Sequence, residues 1–285
     1  MTFINNWEFW VIIYIIAAVL FAHSFKITNR NMKNAGSLTI LLELATAFFA
    51  IFLIPFFKIT FPSSPKIYLT LLIVTIIYAL TDRLNIEARY GLEPSIFSML
   101  KQLSTVFMII FGFIFLKEPL IIHKIIGAIL IILANLILTF ESGKIKINKY
   151  FIMSFISNFL FAIAMLINVN IASHFNLAIY TIITVSIPAI FIYIFEHHSI
   201  KELKQEFSLY DKKTFLISGL TWCFMLIASV KAYELGSVTI VAPLFALTSL
   251  INAIIEFIFN QNKSKLIQKL IAAFLLILGV ILVKI

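Results

Sequence analysis

Charged side chains inside apolar stretches are the residues of this sequence that could carry chemistry. Lys101 lies about two turns into such a stretch, between Leu100 and Leu103. A charge held in lipid costs roughly 2.5–3.5 kcal/mol on insertion scales, so a charge that is retained needs a reason. Lys101 could face a polar cavity and bind an anionic group of a substrate, or it could pair with an acid on a neighbouring helix. Gln102 beside it points about 100° away around a helix, so only one of the two can face the centre of a cavity.

A second polar group lies near the end of the apolar stretch at 66–90. Arg83 and Glu87 are four residues apart, so on a helix they share a face and can form an ion pair. Tyr78 and Asp82 lie one turn earlier. These side chains could form the polar wall or the gate of a pathway, and an ion pair at the end of a helix is the structural alternative.

Glu43 and Glu256 are the other acids within apolar stretches. A carboxylate in a low-dielectric cavity could bind a proton and an organic cation in turn. Partial exposure near a helix start is the alternative for Glu43, and an interfacial position is the better explanation of Glu256. The candidates for substrate binding are therefore Lys101, Asp82, Arg83, Glu43, Gln102, Tyr78 and Glu87. Weaker candidates, which membrane helices commonly use to hydrogen-bond one another, are Asn158, Asn168, Asn170, Tyr193 and Asn252.

The elements that must position these side chains are apolar helices. The chain of 285 residues is 62% hydrophobic and 12% charged, with a mean hydropathy of +1.07, whereas a soluble domain averages about 25% charged residues. Backbone polar groups cannot stay unpaired in lipid, so long apolar stretches are expected to be helices. The longest hydrophilic segment, 196–212, predicts a short surface helix or loop. We predict ten membrane spans, near 8–24, 38–57, 66–90, 93–115, 121–140, 150–171, 176–195, 213–234, 236–259 and 266–284.

Composition and motifs exclude several classes of protein. The net charge is +9, but Lys and Arg in the loops of a membrane protein chiefly set its orientation, so nucleic-acid binding is not indicated. The single cysteine, Cys223, excludes an intrachain disulfide. The histidines lack the spacing of metal ligands, and no Gly-rich phosphate loop is present. We expect no metal and no cofactor, and we expect that the protein is not an ATP-driven pump.

Residues 88–138 and 233–283 are two versions of one segment, offset by 145 positions. Duplicated hydrophobic segments are a feature of secondary transporters, in which the substrate site lies between the repeats. If each copy has five spans, the second must enter the bilayer in the opposite orientation. We therefore predict an all-α membrane protein with ten transmembrane helices in two inverted five-helix repeats, 1–143 and 144–285. Identical residues at equivalent positions include Gly91 and Gly236, Ser104 and Ser249, Lys124 and Lys269, and Ala128 and Ala273.

The duplicated segment resembles the EamA repeat of the drug/metabolite transporter superfamily. The family pattern is a span, an acid-containing turn such as the sequence LKEPL at 116–120, and an apolar helix that begins near a glycine, here Gly127. In the second copy Pro243 occupies the usual proline position, while Asn262 replaces the acid and Ala272 the glycine. The resemblance implies a carrier of five plus five inverted helices around a central cavity, with both termini in the cytoplasm.

The distribution of basic residues conflicts with that placement. If loops are assigned to alternate sides, most Lys and Arg fall on the side opposite the termini. The positive-inside rule would then place both termini outside. Both arguments put the termini on one side of the membrane, and they leave open which side it is.

These features favour a secondary active transporter that moves a small polar or zwitterionic, amino-acid-like metabolite by alternating access. The mixture of acids and bases suits a zwitterion, whereas a multidrug or organic-cation exporter, the main alternative, would favour unpaired acids and no lysine. A membrane-embedded lipid-modifying enzyme would need acids and histidines gathered near an interface, and a structural subunit would need no cavity charges. The expected partners are a small-molecule substrate and membrane lipid, with the proton as a candidate coupling ion. We expect a multi-pass protein of a cell membrane, namely a bacterial inner membrane. We also expect a monomer or a homodimer that is not an enzyme.

Overall fold

The computed structural model of the protein describes residues 5–92, 94–119, 121–139, 147–248, 251–252, 254–255 and 266–284. These residues form eleven α-helices and short 3₁₀ turns, with no β-strand among them. The helices are α1 (Trp7–Asn29), α2 (Ala35–Ile51), α3 (Pro65–Gly91), α4 (Pro94–Phe115), α5 (Ile122–Thr139), α6 (Lys149–Ile171), α7 (Leu177–Phe195), α8 (Ile200–Ser208), α9 (Lys212–Leu235), α10 (Val238–Phe245) and α11 (Leu266–Lys284).

Short polar side chains begin many of these helices. A helix start leaves backbone N–H groups without intrahelical partners, and Asn or Asp at the N-cap accepts a hydrogen bond from one of them. Asn6, Asn34, Asn148, Asn176 and Asp211 do this for α1, α2, α6, α7 and α9. These helices therefore start at defined polar positions.

The helical, strand-free architecture predicted from the sequence is confirmed for the described residues. Within this part of the chain, five helices are long and apolar enough to cross a membrane, namely α1, α3, α6 with the turn that follows it, α7 and α9. The hydrophilic segment 196–212 contains the surface helix α8. The ninth predicted span, 236–259, differs, because α10 ends at Phe245 and much of the remainder lies outside the described residues. The ten-span inverted arrangement stays a prediction.

The extensive helix packing joins the first five helices to the later ones. The largest contacts are α1 with α9, α5 with α11, α3 with α6, α2 with α7, and α4 with α6. Contacts within the first five helices or within the later ones are much smaller. Neither half of the chain therefore forms a separate core.

Small residues allow two close approaches between helices of the two halves, α2 with α9 and α5 with α11. A Cβ at Gly219 of α9 would lie 2.7 Å from the Cβ of Ala45 in α2. A Cβ at Gly279 of α11 would lie 2.7 Å from the carbonyl oxygen of Gly127 in α5. The hydrophobic effect does not drive helices together within lipid. Membrane helices therefore depend on van der Waals contact, which small residues increase because they let the backbones approach closely. The glycine at 127 that belongs to the repeat pattern is thus a packing residue.

Candidate functional site

A cavity of about 280 Å³ lies between the helices. Its wall comes from α1, α3, α4, α6, α7, α9 and α10, together with residues that follow α10. The cavity has two ends. We call the end where α3 leads into α4 the Gly91 end, and the opposite end, where α1 begins beside Gly236, the Trp7 end. Cavities lined by apolar and aromatic groups with a few placed polar groups are the usual form of small-molecule sites.

One face of α3 supplies the polar wall of this cavity. Tyr78, Asp82, Asn85 and Arg89 all line it. Their spacings of four, three and four residues place them on one stripe of an α-helix. The sequence prediction that Tyr78 and Asp82 face a pathway therefore has a geometric basis, and their role in binding stays a prediction.

Lys101 also lines the cavity, from α4. Its side chain is exposed, although it lies about 10 Å from the start of the helix at a rise of roughly 1.5 Å per residue. Neither its ammonium group nor the Asp82 carboxylate has a hydrogen bond or an ion pair with another described residue. Lys101 and Asp82 are thus a cation and an anion of the cavity wall whose charges no described partner neutralises.

Arg83 and Glu87 lie outside the cavity wall. Arg83 donates hydrogen bonds to Glu87 at 2.7 Å and to Glu196, at the end of α7, at 2.6 Å. Lys149, at the start of α6, lies 3.8 Å from Glu87. Since successive residues differ by 100° around a helix, Arg83 cannot share the cavity-facing stripe with its neighbour Asp82. The geometry places this pair in an ion-pair cluster that joins α3, α6 and α7 at the Gly91 end.

The other two predicted site residues do not line the cavity as described. Glu43 in α2 has 0% of its surface exposed and is absent from the cavity wall, to which α2 contributes nothing. The side chain of Gln102 lies outside the described residues. The alternative explanation of Glu43, partial exposure near a helix start, does not hold, because the side chain is buried where α2 packs against α7 and α9.

Aromatic side chains form the Trp7 end of the cavity. Tyr14 stacks on Phe245 with ring centroids 3.7 Å apart, and Tyr233 meets the same ring edge-on at 5.2 Å. These three side chains come from α1, α10 and α9, and all line the cavity. They give that end a flat, apolar surface with two phenolic groups.

A buried hydrogen-bonded triad lies in the same wall. Asn168 of α6 donates to the hydroxyl of Tyr78 at 2.5 Å and accepts from the hydroxyl of Tyr180. Both hydroxyl groups and the amide are thereby satisfied without solvent, as buried polar groups require. The triad fixes α3, α6 and α7 relative to one another, which holds the stripe of α3 toward the cavity.

Arg89 also lines the cavity, although it was not among the candidates chosen from the sequence. Its guanidinium carbon lies 5.0 Å from the ring centroid of Phe25 and 4.6 Å from that of Phe97. The signal was available, since Arg89 follows Asp82 by seven residues and so shares its helix face. A second cation therefore lies at the Gly91 end of the cavity, held between two rings.

The acid of the turn at 116–120 has a structural partner in the other half of the chain. Glu118 accepts hydrogen bonds from the backbone N–H groups of Val238 at 2.7 Å and Thr239 at 2.9 Å, and from the Ser237 hydroxyl at 2.7 Å. A carboxylate at a helix N-terminus is favoured by the unpaired N–H groups and by the helix dipole. We call this contact the Glu118 cap, and it lies at the Trp7 end.

Comparison with known proteins supports a transporter. A solved structure described as "Crystal structure of protein" is similar, with a TM-score of 0.72 and 11% identity over 96% of this chain and 94% of that chain. At that identity the likeness concerns the fold alone. No curated protein shows significant similarity to the chain. Residues 8–140 match the model of the EamA-like transporter family, which covers the stretch that supplies Asp82, Arg89 and Lys101. Over these residues the chain is similar to the EamA-like transporter family.

Proposed function

We propose that this transporter moves a small zwitterionic, amino-acid-like metabolite by alternating access, as a secondary carrier. The observation that carries the proposal is the cavity in which Lys101 and Asp82 stand without a described partner. Charges taken out of bulk water are costly unless they are compensated. A substrate that brings both a carboxylate and an ammonium group can compensate both at once.

The remainder of the cavity fits the same substrate class. Arg89 adds a second cation at the Gly91 end of the cavity, where its guanidinium group lies over two aromatic rings. The aromatic end formed by Tyr14, Tyr233 and Phe245 offers an apolar surface to a side chain. Asp82 and these rings would attract an organic cation. The positive charges of Lys101 and Arg89 in the same cavity would repel it.

The alternating mechanism rests on two inverted repeats, 1–143 and 144–285, which we propose as halves related by a pseudo-two-fold axis. Such an axis would relate α1 to α6, α2 to α7, α3 to α9, α4 to α10 and α5 to α11. The contact between α1 and α9 then corresponds to the contact between α6 and α3, and both contacts are extensive. The same relation leaves the α2–α7 and α5–α11 contacts unchanged, as expected for elements on the axis. Inverted-repeat carriers alternate by moving one repeat against the other around a site between them.

The test is counterflow of radiolabelled amino acids into proteoliposomes that contain the purified protein. We expect exchange of at least one neutral amino acid, and we expect that Lys101→Ala reduces it roughly tenfold or more, about 1.4 kcal/mol of binding energy. Lys66→Ala is the matched control, because Lys66 is exposed at the first turn of α3 and away from the cavity. Equal exchange by the wild type and Lys101→Ala would remove Lys101 from the site. Transport of tetraphenylphosphonium but of no amino acid would replace this proposal with the organic-cation exporter.

A further inference from the structure

The positive and negative charges of the cavity wall do not balance. Among the described residues that line the cavity, the charged side chains are the cations Lys101 and Arg89 and the anion Asp82. The wall therefore carries an excess positive charge while Asp82 is ionised. A neutral zwitterion brings a single carboxylate and a single ammonium group, which compensate Lys101 and Asp82. Arg89 is then left without a counter-charge, and a charge in a cavity away from bulk water is costly when it stays uncompensated.

The guanidinium group of Arg89 is held in place but is not neutralised. It lies over the rings of Phe25 and Phe97. An aromatic face attracts a cation through its quadrupole, but it carries no net charge. No described residue accepts a hydrogen bond from Arg89 or forms an ion pair with it. The two rings therefore orient the guanidinium group and leave its N–H groups for an acceptor in the cavity.

The contact with Phe97 places Arg89 relative to Lys101. Phe97 and Lys101 both line the cavity, and they are four residues apart on α4, so they share one face of the helix. This spacing is one turn, or about 6 Å along the helix axis. Since the guanidinium carbon of Arg89 lies 4.6 Å from the Phe97 ring centroid, the two cations follow one another along the cavity, with Arg89 nearer the Gly91 end. A ligand that contacts both needs two anionic groups separated by a few atoms.

Asp82 gives such a ligand its orientation. It precedes Arg89 by seven residues on the same stripe of α3, which is about 10 Å along the helix axis. Asp82 and Lys101 lie at comparable distances from the Gly91 end, about 13 Å along α3 and about 10 Å along α4. The ammonium and carboxylate groups of an amino acid, which share one carbon atom, can therefore lie between Asp82 and Lys101. A side chain that points toward the Gly91 end then meets Arg89, whereas an apolar side chain would lie at the aromatic Trp7 end.

We propose that the carrier prefers an acidic amino acid, whose side-chain carboxylate is bound by Arg89, over the corresponding neutral amide. A guanidinium group binds a carboxylate through two parallel, charge-assisted hydrogen bonds. The amide of glutamine or asparagine has no negative charge and turns an NH₂ group toward the same donors. This inference rests on the proposed amino-acid carrier and names the substrate class within it.

Glutamate and glutamine form the matched pair of probes, because their side chains are nearly the same in shape and differ in charge. Counterflow of each radiolabelled amino acid is measured at neutral pH in proteoliposomes that contain the purified protein. We expect half-saturation by glutamate at a concentration about tenfold lower than by glutamine, as a charge-assisted hydrogen bond would give. A carrier that exchanges glutamine and other neutral amino acids but shows no preference for glutamate would overturn this inference and leave the proposed function intact. A protein that exchanges no amino acid would overturn both.

Variants of Arg89 assign the preference to this side chain. Arg89→Gln should abolish the preference for glutamate and retain exchange of glutamine, and Arg89→Lys, which keeps the charge, should retain part of the preference. Arg30→Gln is the matched control, because Arg30 is exposed at the end of α1 and does not line the cavity. A preference that persists in Arg89→Gln would overturn the role of Arg89. If Arg89→Gln exchanges neither amino acid, Arg89→Lys decides, since exchange without the preference, or no exchange at all, would make Arg89 a structural residue.

Discussion

At the scale of single residues, the chemistry of this protein depends on which face of α3 a side chain occupies. Asp82 and Arg83 are neighbours in the sequence, yet one lines the cavity and the other lies in an ion-pair cluster. The sequence identified both as unusual charges but could not separate them, because the direction of the cavity depends on the packing of α6 and α7. Helix periodicity alone would have grouped Tyr78, Asp82 and Arg89. Only the tertiary packing shows that this stripe faces inward.

The Asn168 triad gives a prediction at this scale. Asn168→Ala leaves the hydroxyl groups of Tyr78 and Tyr180 buried without a partner, which costs about 1–3 kcal/mol. We expect a lower midpoint of thermal unfolding in detergent and weaker counterflow. Asn170→Ala is the control on the same helix, since the Asn170 amide only donates to the Leu166 carbonyl oxygen at an exposed position. Equal midpoints for the two variants would show that the triad does not stabilise the protein.

At the scale of elements, the contacts made by helix ends could be predicted from the sequence only in part. The acid of the repeat pattern was recognised at position 118, but its partner, the start of α10, lies 120 residues away and was not predictable from local spacing. Five of the predicted spans coincide with helices long and apolar enough to cross a membrane, because hydrophobicity and backbone hydrogen bonding are local properties. A contact between the two halves depends on how distant segments pack together. The Glu118 cap is therefore seen in the structure and could not be predicted from local sequence.

The Glu118 cap predicts a specific loss of stability. Glu118→Ala removes acceptors from the N–H groups of Val238 and Thr239, and we expect a cost of about 1–2 kcal/mol. Glu118→Gln keeps one acceptor oxygen, so its stability should lie between that of the wild type and that of the alanine variant. The midpoint of thermal unfolding measures the order of the three proteins, and an alanine variant as stable as the glutamine variant would contradict the assignment.

The start of α8 gives a prediction about pH. Ser199 and Glu202 form a capping box, and the hydrogen bond from the Ser199 backbone N–H lowers the pKa of the Glu202 carboxyl group below its usual range. Because the folded-state pKa is the lower one, this stabilisation is present above the unfolded pKa and is lost as the pH falls through the folded one. We expect that acidification increases amide hydrogen exchange in α8 of the wild type relative to Glu202→Gln, after correction for intrinsic rates. An identical pH response in both proteins would exclude this role of the cap.

At the scale of the whole molecule, the ten spans that we predict would place both termini on one side of the membrane. The duplication in the sequence leads to the same expectation, but the basic residues and the family resemblance disagree about the side. We expect that reporter domains fused at Met1 and at Ile285 give the same topology signal. Opposite signals would contradict the five-plus-five arrangement, whichever side the termini occupy.

The packing between halves has one more consequence. Since nearly all of the extensive contacts join α1–α5 to the later helices, the molecule is organised like an obligate dimer whose two subunits share a single polypeptide. Obligate interfaces bury large apolar surfaces that neither partner can leave exposed. The fragments 1–143 and 144–285, made as separate chains in one cell, should therefore find each other and rebuild the cavity, while either fragment alone should be degraded.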